Sequence, residues 1–137
     1  MKNAITIETT VNAPMDKVWN YWNEPTHITK WCAASPEWHA PAAENDLMAG
    51  GKFTTTMAAK DGSMSFDFWG IYDQVKIDEL IEYTMGDGRK AQIVFSKSVD
   101  ATKIFESFEP ESENPRELQQ GGWQAILNSF KSYTENN

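Results

Sequence analysis

The last part of the chain carries hydrophobic residues at the spacing of three and four that one face of a helix requires. The polar residues Gln119, Gln124 and Lys131 fall on the opposite face. Asn114 is a suitable N-cap and Pro115 suits the first helical position, so the pattern predicts a long helix from here to about residue 135. Such a helix is marginal in water by itself, and we therefore expect it to lie on an apolar surface. Its apolar positions are Leu118, Gly122, Trp123, Ile126, Leu127, Phe130 and Tyr133.

Most of the chain before this helix alternates between apolar and polar residues, as half-buried strands do. The first alternating segment ends at Val11, and the stripes that follow predict two short helices over 14–23 and 26–31. Residues 38–43 are interpreted as the start of an edge strand. Turn-forming residues then divide residues 50–109 into further strands. The turns are Asp61-Gly62, Asp78-Glu79, Gly86-Asp87-Gly88 and Asp100-Ala101.

This order of elements predicts a single α+β domain over residues 1–137. Because consecutive hairpins make neighbouring strands antiparallel, we expect a curved antiparallel sheet of about six or seven strands wrapped around the long carboxyl-terminal helix. The two short helices follow the first strand. One cylinder cannot fill a wide trough, so the fold predicts a gap between helix and sheet. A bulge is expected near Gly70, where Trp69 and Ile71 are apolar on the second face of the strand.

The composition indicates a packed domain and weighs against some classes of partner. Hydrophobic residues make up 40% of the chain and aromatic residues 12%, so rings either fill the core or surround a cavity that they cannot close. The net charge of -8 disfavours nucleic acids and anionic membranes as partners. Cys32 is the only cysteine, which excludes an internal disulfide bond. The amino-terminal segment lacks the apolar stretch of a signal peptide and no apolar run is long enough to span a bilayer, so we expect a cytoplasmic protein.

Five short motifs occur along the chain in a defined order. They are Ala13-Pro14-Met15-Asp16-Lys17-Val18-Trp19, Trp22-Asn23-Glu24-Pro25 with Ile28-Thr29-Lys30-Trp31, Gly50-Gly51-Lys52-Phe53, Gly70-Ile71-Tyr72 and Gly122-Trp123. In these motifs, and over essentially its whole length, the chain resembles a START-like (SRPBCC, helix-grip) domain. Within that superfamily it resembles the group named after the carboxyl-terminal domain of the heat-shock protein 90 ATPase activator. Met48 departs from the pattern, because many relatives have arginine before the Gly-Gly pair.

The resemblance implies a hydrophobic cavity for a lipid-, flavonoid- or polyketide-like small molecule. It implies no defined reaction, because the superfamily includes binding proteins, cyclases and chaperone regulators. We therefore expect a small hydrophobic molecule as the partner, with no catalysis, no cofactor, no metal, no nucleic acid and no membrane insertion. One alternative is a cyclase- or hydrolase-type enzyme that uses the same cavity. The other is a protein–protein module that regulates a chaperone ATPase, and a chaperone or a second copy of the chain would then be the partner.

The candidate ligand-binding residues are inward aromatic side chains of the sheet and the long helix, with a few polar groups among them. The competing interpretation is that the same rings simply fill the core. For the tyrosines, the competing interpretation is a hydroxyl that donates to a backbone carbonyl. The candidates are Trp31, Phe53, Thr55, Phe66, Phe68, Tyr72, Tyr83, Phe95, Phe108, Trp123 and Leu127.

Asp67 and Glu106 are the candidate acid and base for the enzyme alternative, and the hydroxyls of Tyr72 and Tyr83 are further polar candidates. If Phe108 points inward, Glu106 lies in an apolar environment and the pKa of its carboxyl is raised. If Phe105 points inward instead, Glu106 is an ordinary surface charge. The second interpretation is favoured.

A metal site and a cysteine nucleophile are both disfavoured. His27, Cys32 and His39 do not have the spacing of any known metal motif. Cys32 also lacks a recognisable base and an orienting third group.

Gly121 and Gly122 lie inside the predicted long helix, where each glycine costs about 1 kcal/mol relative to alanine. A close approach of the helix to a strand is favoured over a hinge as their explanation. The acidic loop at 109–117 is interpreted as a solvated connection.

Overall fold

The computed structural model describes all residues, 1–137, as one seven-stranded antiparallel sheet and three helices. The predicted fold class is confirmed. The sheet has the strand order β1-β7-β6-β5-β4-β3-β2. The elements are β1 (Ile5–Val11), α1 (Met15–Asn23), α2 (Pro25–Trp31), β2 (Trp38–Asn45), β3 (Lys52–Ala59), β4 (Ser65–Lys76), β5 (Leu80–Met85), β6 (Lys90–Ser98), β7 (Ala101–Phe108) and α3 (Arg116–Asn136).

The two short helices carry the chain from one edge of the sheet to the other. β1 and β2 are consecutive strands, yet they form opposite edges, and every other pair of consecutive strands is a hairpin. β1 closes its edge by pairing with β7, with Ile5 opposite Phe108 and Val11 opposite Thr102. α2 packs beside β2 and α3 packs beside β1. The helices therefore cover the concave face from both edges.

The carboxyl-terminal half of α3 is the part held most firmly to the rest of the domain. Leu127 and Phe130 are 1% and 0% exposed, and burying a side chain of this size contributes about 1.5–3 kcal/mol. Polar contacts fix the same half: the Lys131 Nζ donates to the Thr10 carbonyl at 2.7 Å, and the Asn12 amide donates to Glu135 at 2.7 Å. α3 thus packs against the concave face of the sheet, as its amphipathic pattern predicts.

The start of α3 differs from the prediction. The helix begins at Arg116 with Pro115 as N-cap and no side-chain capping bond, so the assignment of Asn114 as N-cap is wrong. Leu118 is 62% exposed whereas Gln119 is buried. Gln119 lies four residues before Trp123 and so continues the buried line of the helix. The side-chain amide of Gln119 donates hydrogen bonds to the carbonyls of residues 111 and 114 in the acidic loop. Because these bonds satisfy the amide, a polar residue can occupy this inward position.

Two strand details also differ. The register of β4 against β5 shifts between Tyr72 and Gln74, so the bulge does not lie at Gly70. β6 ends at Ser98, and Val99 is 88% exposed in the turn that follows. None of the helices combines the length and apolar character that crossing a membrane demands.

Candidate functional site

A cavity of about 300 Å³ lies between α3 and the concave face of the sheet. Most of the residues around it are hydrophobic, and they come from all three helices and six of the strands. Phe66 is 48% exposed and Glu44 is also exposed, so the cavity meets solvent on the side of β2 and β4. The gap predicted between helix and sheet is therefore present.

Alternation along β3, β4 and β5 builds the sheet wall of the cavity. Phe53 lies at its centre, with ring centroids 4.8 Å from Tyr83, 5.3 Å from Tyr72 and 5.6 Å from Phe68. Gly70 is opposite Phe53 in the strand register, and a Cβ atom there would lie 2.7 Å from the Phe53 ring. The missing side chain of Gly70 therefore leaves room for this ring against the sheet.

Most of the predicted ligand-binding residues are brought together at this wall. Those that line the cavity are Trp31, Phe53, Thr55, Phe66, Phe68, Tyr72, Tyr83 and Trp123. The other three lie outside it. Phe95 packs against Trp19 and Trp22, and Phe108 lies behind Trp123. Leu127 is enclosed in the core. These three support the wall from behind and do not face the empty space.

Tyr72 is fixed by a hydrogen bond to another side chain of the wall. Its hydroxyl donates to Oδ1 of Asn45 at 2.6 Å, and Nδ2 of Asn45 donates to the Asn23 carbonyl at 2.8 Å. The interpretation that this hydroxyl donates to a backbone carbonyl is therefore wrong. Burial raises the pKa of Tyr72 well above its usual range, so the hydroxyl stays protonated. The chain of bonds ties β4 to β2 and to the end of α1.

Glu106 is buried, and its carboxyl faces the cavity. The favoured interpretation as a surface charge is wrong, because Ile104 and Phe108 on the same face are both 0% exposed while Phe105 is only half-buried. Its neighbours across the sheet are Ile7 and Ile93. Burial in this apolar setting raises the pKa of Glu106 to about 8.

No protein group pairs with this carboxyl. Glu106 takes part in no side-chain hydrogen bond and no ion pair, and the hydroxyl of Tyr83 likewise has no partner. Burial, together with the nearby Glu106 charge, raises the pKa of Tyr83. The site therefore holds two polar groups among aromatic side chains, and neither has a hydrogen-bond partner in the protein.

Arg89 and Cys32 also line the cavity, but Arg89 is already paired and Cys32 is held as a thiol. Arg89 donates through Nε to Asp87 at 2.7 Å and through Nη1 to the Glu109 carbonyl at 3.1 Å. Burial, with a smaller contribution from Glu106, raises the pKa of Cys32 to about 12. A thiol held protonated in this way is a poor nucleophile and a poor metal ligand.

The histidines do not join Cys32 in a metal site. Nδ1 of His27 lies 2.8 Å from the Tyr133 hydroxyl, and its ring stacks on Tyr21 with centroids 3.8 Å apart. His39 is exposed on β2. No group of three His, Cys, Asp or Glu side chains is positioned to hold a metal ion.

The helical glycines do not mark a close approach. A Cβ atom on Gly121 or Gly122 would have no neighbouring heavy atom within 4 Å. The favoured explanation, that the helix meets a strand there, is therefore wrong.

Several lining residues were not predicted. Ile81 and Ile93 share the buried face of their strands with predicted residues, so alternation alone identifies them. Asn23, Asn45 and Arg89 come from the end of α1, the end of β2 and the turn between β5 and β6, and no local pattern points to them. Others are Trp22, Ile28, Met57 and Ile126.

Comparison with solved structures supports the same architecture. A solution structure of a Cytophaga hutchinsonii protein is 75% identical, with a TM-score of 0.84, over 98% of this chain and 94% of that one. The solution structure of an AHSA1-like protein from Aeromonas hydrophila is 39% identical, with a TM-score of 0.92, over 97% and 92%. A crystal structure of a Chromobacterium violaceum protein, 21% identical, shares the fold with a TM-score of 0.86 over 98% and 99%.

No match is found among the curated proteins. The family model described as "Activator of Hsp90 ATPase homolog 1-like protein" matches residues 12–135. The match runs from α1 to α3 and thus includes every element that lines the cavity. The chain belongs to the family of Activator of Hsp90 ATPase homolog 1-like proteins.

Proposed function

We propose that this protein binds a small hydrophobic or aromatic molecule, of lipid-, flavonoid- or polyketide-like character, in the cavity between the sheet and α3. The observation that carries the proposal is the cavity itself: about 300 Å³ is left unfilled by a domain with many large aromatic side chains. Pockets for small molecules typically begin at this size and have mostly apolar walls with a few polar groups.

An empty apolar cavity is unfavourable because the atoms of its wall lack dispersion partners on one side. Filling it with a molecule of matching shape restores those contacts and removes apolar surface from water. The ring positions are set by neighbouring rings and by Gly70, so the space does not depend on one mobile side chain. The site is therefore formed before a ligand arrives.

Thermal unfolding with a panel of flavonoid- and fatty-acid-like compounds tests this proposal. We expect at least one compound to raise the melting temperature in a concentration-dependent way, because a ligand that binds only the folded state stabilises it. Trp123→Ala, which removes part of the wall, should abolish the shift. Trp69→Ala is the matched control, because Trp69 is 39% exposed and does not line the cavity.

Ile126→Trp provides a second variant that fills the space and removes nothing from it. Ile126 lines the cavity from α3, and a larger side chain there should compete with the ligand. Native mass spectrometry of freshly purified protein would add an independent readout. A panel that never shifts the melting temperature, together with a protein that carries no small-molecule mass, would contradict the proposal.

The unpaired carboxyl of Glu106 favours a second candidate, a cyclase- or hydrolase-type enzyme. A group with a pKa of about 8 in a largely apolar site can give and take a proton near neutral pH. Tyr83 is close enough for the Glu106 charge to act on its pKa, and it would assist as a hydrogen-bond donor. Turnover that disappears in Glu106→Gln while ligand binding remains would favour this candidate over binding alone.

A further inference from the structure

The charged groups around the cavity are unbalanced in favour of negative charge. Glu106 on β7 and Glu44 on β2 are the acidic residues that line it, and Arg89 is the only basic one. The guanidinium of Arg89 already bonds Asp87 and the Glu109 carbonyl. From α3 only Trp123 and Ile126 face the space, and α1 contributes Trp22 and Asn23. The protein therefore supplies no cation for the Glu106 carboxylate.

Aromatic side chains line the cavity that the Glu106 carboxyl faces. Trp22 and Trp31 lie on the helix side with centroids 5.1 Å apart, and the Phe53, Phe68 and Tyr83 rings lie on the sheet side. The faces of such rings attract cations, and the attraction is larger where water is excluded. Phenolic and thiol groups at the site do not compete for the role of anion, because burial keeps Tyr72, Tyr83 and Cys32 protonated.

We propose that the cavity selects a hydrophobic amine, whose ammonium nitrogen pairs with the Glu106 carboxylate and whose apolar body lies against the aromatic wall. This inference rests on the proposed binding function and names the chemical class of the ligand. A buried carboxylate without a partner is costly, and an organic cation of this kind removes that cost on binding. A neutral apolar molecule would leave the carboxyl unpaired.

Proton release follows from this pairing. With a pKa of about 8, Glu106 is mainly protonated in the empty site at neutral pH. Binding of an ammonium ion converts the neutral carboxyl to a carboxylate and sends its proton to solvent, while the amine keeps its own proton. Affinity should therefore rise as the pH rises towards 8 and level off above it. A neutral ligand that accepts a hydrogen bond from the protonated carboxyl predicts the opposite trend.

Three probes with the same apolar body test the inference: 4-phenylbutylamine, 4-phenylbutanol and 4-phenylbutanoate. Calorimetric titration of the intact protein at about pH 6 and pH 8.5 measures affinity, and titration in buffers of different ionisation enthalpy measures proton release. We expect the amine to bind at least about tenfold tighter than the alcohol at the higher pH, and roughly 75-fold more weakly at the lower pH than at the higher. The carboxylate should bind worst.

Glu106→Gln should remove the preference for the amine over the alcohol and abolish proton release. Glu8→Gln is the matched control: it deletes the same charge from an exposed position on the neighbouring strand and should keep the preference. Equal affinity of amine and alcohol at both pH values would overturn the inference and leave the proposed function standing. Preference that persists in Glu106→Gln would overturn it too. Failure of all three probes to bind would count against both.

Discussion

The indole of Trp123 lies face to face with the phenyl ring of Phe108, with centroids 3.9 Å apart and planes 8° from parallel. Phe108 is 0% exposed at the end of β7, whereas Trp123 forms part of the cavity wall on α3. Phe68 meets Trp123 edge-on from the sheet at 6.0 Å. The position of this indole is therefore set by a buried ring that no ligand touches.

We expect Phe108→Leu to weaken ligand binding although Phe108 does not line the cavity. The substitution removes three carbon atoms from the core, so it should lower the free energy of unfolding by about 2 kcal/mol and remove the surface that orients Trp123. Calorimetric titration and urea unfolding would measure the two effects. Ile5→Val is the control, since Ile5 is buried opposite Phe108 in the strand register. If both variants lose stability equally and neither loses affinity, the stack has no role in binding.

Tyr72→Phe should destabilise the fold by about 1 kcal/mol, because it leaves Oδ1 of Asn45 without the hydroxyl that bonds it at 2.6 Å. Tyr83→Phe is the matched change at a neighbouring ring whose hydroxyl has no protein partner. It should alter the free energy of unfolding by less than about 0.5 kcal/mol. Urea unfolding of both variants at one pH makes the comparison. Equal losses would show that the bond to Asn45 contributes nothing.

The pKa of Glu106 makes stability depend on pH in a defined direction. The folded state holds this proton up to about pH 8, whereas an unfolded glutamate releases it near 4.5. Between these values the folded state binds more protons, so stability falls as the pH rises, by up to about 1.4 kcal/mol per pH unit. Glu109 and Glu135 have lowered pKa values, so the stability that they contribute is lost only at more acidic pH, outside this window.

Glu106→Gln should therefore be more stable than the parent protein at pH 8 and of similar stability near pH 5. Chemical unfolding of both proteins across this range, without ligand, measures the difference directly. Glu8→Gln controls for the change in net charge. Parallel curves for the parent and Glu106→Gln would mean that the carboxyl is not buried in an apolar environment.

Gly121→Ala and Gly122→Ala should each stabilise the protein by about 0.5–1 kcal/mol, because alanine favours the helix and the structure leaves space for its methyl group. Gly70→Ala is the opposite case. There the added carbon would lie 2.7 Å from both the Phe53 ring and the Thr84 carbonyl, and we expect a loss of about 1–3 kcal/mol. Melting temperatures of the three variants test the contrast. A helix that is destabilised by either alanine would indicate a need for glycine that packing does not explain.

Local patterns were sufficient to predict the sheet and the side of it that is buried. Phe53 and Tyr83 alternate with polar residues, and turn residues mark each hairpin, so both the strands and their inward faces follow from short stretches of sequence. The side of the sheet on which Glu106 lies was harder to predict, because both faces of β7 carry aromatic residues. Alternation could not decide between them without the neighbouring strands.

Depth and long-range polar contacts could not be predicted in this way. Phe108 and Leu127 point inward as expected, but periodicity does not distinguish a ring that lines a cavity from a side chain behind the wall. The bond from Tyr72 to Asn45 joins residues 27 positions apart, and no pattern in either strand indicates it. The buried position of Gln119 could not be predicted either, because the loop carbonyls that accept its hydrogen bonds are known only from the structure.

The pairing of the first strand with the last one has a consequence for biosynthesis. β1 pairs only with residues 101–108, which are synthesised much later in translation. Trp123 and Ile126, which line the cavity from α3, are synthesised later still. During translation the hairpins from β2 to β7 can form as they leave the ribosome, but their inward aromatic surface stays exposed until α3 has been synthesised. We therefore expect the cavity to be completed only when α3 docks, late in folding.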